Sequence, residues 1–221
     1  LIAYEITDEV AAEAYSGGFD CIVAFHPLIF FPLQTISSDR RVGRVITNLI
    51  AAGIAVVVVH TNLDTHPRGT NMILAQMLGL SECIFMQSNP YHSDRGMGVI
   101  GKWREPKSVK DAAALVAHQL KSRVRYAATD INQMISKVAV VAGSGYDFLD
   151  YAIKHGAEVL ITADAKYHNF HAAKDTIALI EAGHQEMESH VPDILYSLLS
   201  EEIKDVDFHR SILNTNPIHY I

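Results

Sequence analysis

The sequence predicts an α/β protein, and three observations carry that expectation. Apolar runs of strand length alternate with helix-length periodic segments along the 221 residues, the pattern of α/β architectures. Several runs are almost continuously apolar, among them CIVAFHP, AVVVVHTNLD, VLITADAKYH and IALIEAGHQEME, as strands covered on both faces read. The third observation is an internal echo. ITDEVAAEAYSGGFDCIVAFHP aligns without gaps on SGYDFLDYAIKHGAEVLITADA, matching Ala14 to Ala152, Gly18 to Gly156, Asp20 to Glu158 and His26 to Asp164. A helix, a strand and another His follow in each place. This predicts two similar α/β halves related by internal duplication. The first spans 1–80 and the second 137–221, joined by 81–136 and packing as one compact unit.

In chain order, strands are expected near 1–6, 20–25, 54–59, 97–101, 137–142, 158–162, 176–180 and 206–209. Helices are expected near 8–16, 39–52, 69–78, 108–121, 146–155, 166–174 and 186–203. Asp8 or Thr7 can cap the first helix and Ser108 the one beginning VKDAAALVAHQL. Gly17, Gly53, Gly79 and Gly156 stand where helices should stop. In the link, CIFMQSNPYHSDRGMGVIG and KWREPKS read as an edge strand and a polar loop.

Hydrophobic residues make up 49% of the chain, enough for a sizeable core. No run of about 18 uncharged apolar residues suggests a membrane span. The formal net charge of -7 argues against a general nucleic-acid surface, which needs clustered Lys and Arg, but leaves room for a local basic nucleotide pocket. Cys21 and Cys83 do not make a disulfide framework and read as buried thiols in a reducing compartment, so a cytoplasmic location is expected. The chain opens LIAYEITDE with no signal-peptide pattern, as a fragment lacking its true N-terminus would.

Histidines and carboxylates gather just past the apolar runs, at His26, His60, Asp64, Asp164, His168, His184 and Glu188. In open α/β sheets ligands bind beyond the carboxyl ends of strands, so these clusters converge if the strands share one sheet or two facing sheets. Imidazole with carboxylate and no nearby thiol is metal-site chemistry.

GHQEME is the sharpest local signal. His184 and Glu188 are four apart, so a helix starting there sets both on one face, able to bind one metal or bridge two. An exposed helical His–Glu pair is the competing reading, and the position right after IALIEAG favours the site. Asp64 follows AVVVVH in a loop with Thr61 and Asn62, as a hard ligand or as a cap of the next helix. His60 either binds metal or orients a ligand. His26 is a core histidine or a strand-tip ligand, and Pro27 supports the strand tip. Asp164, Lys166, Tyr167 and His168 form a polar patch. Lys166 could hold a substrate phosphate or carboxylate, and His168 could serve as acid or base, against the reading of a solvated helix start. GSGYDF could cradle a phosphate, although tight strand–helix packing suits it better. The absence of GxSxG, with Cys21 inside a strand run, disfavours a Ser or Cys hydrolase.

Taken together, FHPLIF, HTNLD, GSG, ITADAKYH and GHQEME resemble, in order and spacing, the NIF-three-like dinuclear metal proteins, known as GTP cyclohydrolase 1 type 2 homologues. The resemblance covers nearly the whole chain and is to the short form without an inserted domain. It implies a toroidal homohexamer and a pair of divalent ions in the cleft between the two halves, at strand C-terminal ends. It also implies the ligands His26, Asp64, His184 and Glu188. The family's other strand-end His falls on Phe25, which cannot ligate a metal, and its Gly before the ITGD-type Asp falls on Ala163.

The function implied is a metal-dependent hydrolase of a nucleotide or related phosphorylated compound. Glu188 would be bridging carboxylate or general base, with Lys166 and His168 as substrate contacts. The alternative is a non-catalytic metal-binding hexamer, a carrier or scaffold, and Phe25 adds weight to it. One or two ions per chain are expected, and the donor set suits zinc, iron, manganese, cobalt or nickel alike.

Overall fold

The computed structural model of the chain describes residues 1–220. They fall into two compact units, one formed by Leu1–Asn62 with His190–Ile221 and the other by Leu63–Ser189.

The first unit is built on a three-stranded parallel sheet of β1 (Ile2–Ala3), β2 (Cys21–Ala24) and β3 (Ala55–Val58), in that order. Helix α1 (Asp8–Ser16) connects β1 to β2, and α2 (Arg41–Ala52) connects β2 to β3. Thr7 caps α1 by accepting the Val10 N–H at 3.2 Å, as expected. The left-handed residue after this helix is Gly18, at φ +69°, and Gly17 stays right-handed at −82°. Ile6, Val10, Ala14, Ile22, Val45 and Leu49 form the buried core.

The strand AVVVV departs from the expectation of cover on both faces. All four residues of β3 are exposed, Val57 at 49%. β3 is an edge strand with β2 as its sheet neighbour, so an apolar run here reflects strand propensity rather than burial. The segment 206–209 is not a strand. The chain meets β1 slightly later, through one parallel bridge between Ile2 and Arg210.

The chain passes to the second unit through a single helical turn, α3 (His60–Asp64), where a loop was expected. α4 (Thr70–Met77), β4 (Ser81–Ser88), β5 (Gly96–Ser108), α5 (Val109–Leu120), β6 (Arg125–Ala127) and β7 (Met134–Ser144) follow. A 3-10 turn (Tyr146–Phe148) leads into α6 (Leu149–Lys154), β8 (Val159–Ala163), α7 (Tyr167–Lys174), β9 (Ala178–Glu181) and α8 (His184–Glu188). α9 (Val191–Glu202) returns to the first unit.

The sheet of the second unit is mixed, in the order β4-β5-β7-β8-β9-β6. β7, β8 and β9 are parallel neighbours, and the other pairings are antiparallel. Alternation of period two divides its core. Val140, Ile161 and Ile180 face one hydrophobic cluster with Leu74, Val116 and Met187. Val141, Leu160 and Leu179 face another with Ala152 and Ala173. Here the expectation of strands covered on both faces holds: all five residues of β8 are buried.

KWREPKS, expected as a loop, belongs to β5. It pairs with β7 on both sides of an irregularity between Lys102 and Lys107, where Pro106 has no N–H to give the ladder. The helix expected over 186–203 is two helices. Pro192 opens α9 from its first turn, a position proline tolerates and a helix interior does not. Cys21 and Cys83 are half-buried free thiols, and burial pushes the Cys83 thiol up. No helix among the described residues is long and apolar enough to cross a membrane.

Candidate metal centre

The second unit assembles a carboxylate–imidazole–carboxylate line at the ends of its parallel strands. Asp164 follows β8 directly, in the left-handed region at φ +54°. His184 follows β9, as the first residue of α8 after the cap Gly183. Its Nδ1 lies 2.6 Å from Asp164 Oδ2. One turn on, Glu188 Oε2 lies 3.1 Å from His184 Nε2. The spacing of four residues therefore does what the sequence suggested.

Burial acts to lower the His184 pKa, but the hydrogen bonds and charges of Asp164 and Glu188 outweigh it and raise it to about 10. The hydrogen bond from His184 in turn lowers the Asp164 pKa, against burial. Glu188 is 3% exposed. A carboxylate this buried calls for a cationic partner or a metal.

The backbone of β7 comes close to these groups. Gly143 sits at φ +63°, and a Cβ there would lie 2.4 Å from Glu188 Oε1 and 3.2 Å from His184 Nε2. Only glycine suits both the angle and the space. Buried Thr162 fixes this loop by accepting the Gly145 N–H at 2.8 Å and donating to Gly143 O at 2.9 Å. The glycines of GSG thus serve close packing.

Asp64 is also buried, at 5% exposure, and it does not cap α4. The cap is Gly69. Asn71 donates to the Asp64 carbonyl at 3.0 Å and accepts the Ala142 N–H at 2.8 Å. It thereby ties the Asp64 backbone to the strand that carries Gly143. Ligand atoms lying within 4.8 Å of one another include those of His184 and Glu188, a His/Glu cluster that could hold a metal ion, and Asp64 is outside that group.

In the first unit, His26 follows β2, and its Nδ1 lies 3.0 Å from Glu5 Oε2. Its ring meets those of Tyr4, Phe25 and His60 at centroid distances of 4.7, 5.0 and 5.6 Å. Phe25, at the family's missing ligand position, is 1% exposed. His60 begins α3 at φ +33°. Lys166 and His168 are exposed at the start of α7. The Lys166 N–H bonds Asn169 Oδ1 at 2.7 Å, and the His168 ring meets Tyr167 edge-on.

Sequence reasoning missed Glu5, Asn71 and Thr162, and it singled out the GSG loop without foreseeing that Gly143 packs against Glu188 and His184. Asn71 and Thr162 carried one available signal, a polar residue at an apolar position of a helix or strand. Asp164 had been placed in the right patch, but its partnership with His184 was not foreseen.

The chain as a whole is similar to known proteins. Two relatives named GTP cyclohydrolase 1 type 2 homolog, from Clostridium perfringens and Streptococcus pneumoniae, are 34% and 33% identical, each covered over 85% of its length by the whole of this chain. A crystal structure of a Staphylococcus aureus hypothetical protein shares the fold with a TM-score of 0.88 at 27% identity, covering all of this chain and 86% of that one. A Bacillus cereus protein related to NIF3 shares it at 0.85 and 22% identity, over all of this chain and 88% of that one. The family match itself runs from residue 1 to residue 217, and the chain belongs to the Duf34/NIF3 (NGG1p interacting factor 3) family.

Proposed function

We propose that this protein is a metal-dependent hydrolase acting on a nucleotide or a related phosphorylated compound. The observation that carries the reading is the His184 ring, aligned by Asp164 on Nδ1 with Nε2 directed at buried Glu188. A carboxylate on one ring nitrogen fixes the tautomer and orients the other nitrogen toward a metal. The names of the relatives support a nucleotide substrate.

Asp64, His184 and Glu188 are the proposed ligands of the second unit, and His26 is that of the first. A divalent ion held by such groups polarises a scissile bond and lowers the pKa of water toward neutrality. Glu188 takes the proton from the attacking water, since its carboxylate is buried and fixed within one helical turn of His184. His168 acts as acid or base toward the leaving group, and Lys166 holds an anionic part of the substrate. Both lie on accessible surface at the start of α7. The family resemblance carries the further reading of a dinuclear homohexamer, and the two unpaired cysteines that of a cytoplasmic location.

One observation favours a second reading, a metal-binding protein without catalysis. Phe25 is buried among aromatic rings where a second imidazole would serve a second ion. Elemental analysis of the purified chain, paired with a nucleotide-hydrolysis screen, decides between them. Bound metal, one or two ions per chain, with metal-dependent turnover abolished in Glu188→Ala, is the expected result. Bound metal without turnover on any nucleotide would select the second reading, and a metal-free chain that cannot be loaded would overturn both.

A further inference from the structure

We propose that His66, Arg68 and Arg95 form a phosphate-binding subsite beside Asp64. The identification of its occupant as the substrate's phosphate groups rests on the hydrolase reading above. Three backbone bonds fix Arg95. The Gly96 N–H donates to Thr65 O at 3.1 Å, which sets the base of the β4–β5 hairpin against the segment after Asp64. The Arg95 N–H donates to His92 O at 3.1 Å, and its carbonyl accepts the Asn89 N–H at 2.8 Å. Within this frame Arg95 Nε is buried and makes no hydrogen bond among the described residues. A buried N–H of a cation without an acceptor is costly, and an anionic oxygen removes that cost.

The neighbouring groups match the same ligand. His66 Nδ1 accepts the Arg68 N–H at 3.1 Å, so the proton of the neutral ring is on Nε2 and the ring offers one more donor. The charged groups acting on the His66 ring are Arg95, Arg68 and the Asp94 carboxylate. Two guanidinium groups against one carboxylate leave a local cationic surplus on a chain of net charge -7. The segment closes through the Gly69 N–H on His66 O at 2.8 Å, and Gly69 caps α4 without a side-chain bond. The amides of a helix start favour the same sign of ligand. Planar guanidinium forks with a ring N–H suit the several oxygens of a phosphate chain better than a single carboxylate. The subsite also lies two residues from Asp64, where a phosphorylated substrate would need its charge held.

Titration calorimetry with inorganic tripolyphosphate, on the full chain stripped of metal, tests this apart from any catalysis. Saturable binding is expected, weakened about tenfold by Arg95→Gln, since one charge-assisted hydrogen bond is removed. Arg68→Gln should weaken it severalfold, Arg95→Lys less than Arg95→Gln, and added salt should weaken it for all. Should Arg95→Gln unfold by circular dichroism, Arg68→Gln decides. Wild-type protein showing no saturation at about 10 mM tripolyphosphate, or both Gln variants binding like wild type, would overturn the subsite. Tripolyphosphate binding by a chain that hydrolyses no nucleotide would overturn the hydrolase reading and leave the subsite standing.

Discussion

In the first unit the Nδ1 of His26 faces Glu5 at 3.0 Å, and in the second the Nδ1 of His184 faces Asp164 at 2.6 Å. Both histidines follow a parallel strand or its neighbour, and each has a carboxylate on the same ring nitrogen. What surrounds them differs. His184 has a second, buried carboxylate on Nε2, while His26 is ringed by Tyr4, Phe25 and His60. The second unit thus sets a carboxylate on each ring nitrogen of its histidine, and the first packs aromatic rings around its own. An imidazole aligned by a carboxylate is common to both; in the second unit the other ring nitrogen also faces a carboxylate one helical turn along the same helix.

The largest effect should come from breaking the better-built of the two. Asp164→Asn keeps the shape and removes the charge behind His184. It should weaken metal affinity by about 10–100-fold, the usual effect of a partner behind a ligand. Glu5→Gln, the matching change in the first unit, should weaken it less. Competition with a chromogenic chelator measures both. Equal losses in the two variants would mean that the two histidines contribute alike and that the contrast drawn above is wrong.

Restoring a donor in the first unit sharpens the contrast from the other side. Phe25→His should raise the metal count per chain in elemental analysis, because it adds an imidazole to the donors a further ion needs. The gain is expected to be partial, because the new ring replaces a side chain that is 1% exposed and a buried imidazole needs hydrogen bonds of its own. An unchanged metal count in a folded variant would rule out Phe25 as the reason for a missing ion.

Much of this arrangement was legible in the sequence, for reasons that differ by residue. His184 and Glu188 were readable because a helix brings positions four apart together, whatever the rest of the fold does. The alternation of α and β elements was readable because period and caps are local, as the Thr7 and Ser108 caps show. Asp164 opposite His184 was not, since that pair joins the ends of two strands and depends on their register. Nor was the exposure of β3, because an apolar run is the same string in a central strand and at an edge. The break at Ser189 was marked by Pro192, but the apolar periodicity running through it hid the signal. The role of Gly143 could not be foreseen either. The need for glycine at this position arises from Glu188, which lies 2.4 Å from a Cβ built there.

Acidity provides a subtler test. The two carboxylates raise the His184 pKa to about 10 in the metal-free protein, from an ordinary 6.5. A raised folded-state pKa means that protonated His184 stabilises the fold fully below pH 6.5, and that this contribution is lost as pH rises through 10. Urea denaturation of metal-free protein should therefore show a midpoint falling across that window. In Asp164→Asn the fall should be shallower, because one of the two opposing charges is gone. Metal loading should flatten it as well, since a metal on the ring nitrogen displaces the proton.

The smallest effect concerns the echo between the two units themselves. Gly18 and Gly156, matched in the sequence, have nearly the same left-handed backbone, φ +69° and +72°. Four residues earlier in each, Ala14 and Ala152 are fully buried. Two residues later, Asp20 O and Glu158 O each accept an N–H from the next parallel strand, from Ala55 and Ala178, both at 2.9 Å. A Cβ at Gly18 would meet nothing within 4 Å, and one at Gly156 would meet just the flexible tip of Lys137 at 3.5 Å. Strain from the backbone angle is then the whole penalty in both places. Gly18→Ala and Gly156→Ala should each destabilise the protein by about 1–2 kcal/mol, equally within error, as read from thermal or urea unfolding. If one costs far more than the other, the two turns are held by different surroundings and the match between them is a coincidence of sequence. If they are equal, the turns are one local design used twice, and the differences between the units lie at the strand ends.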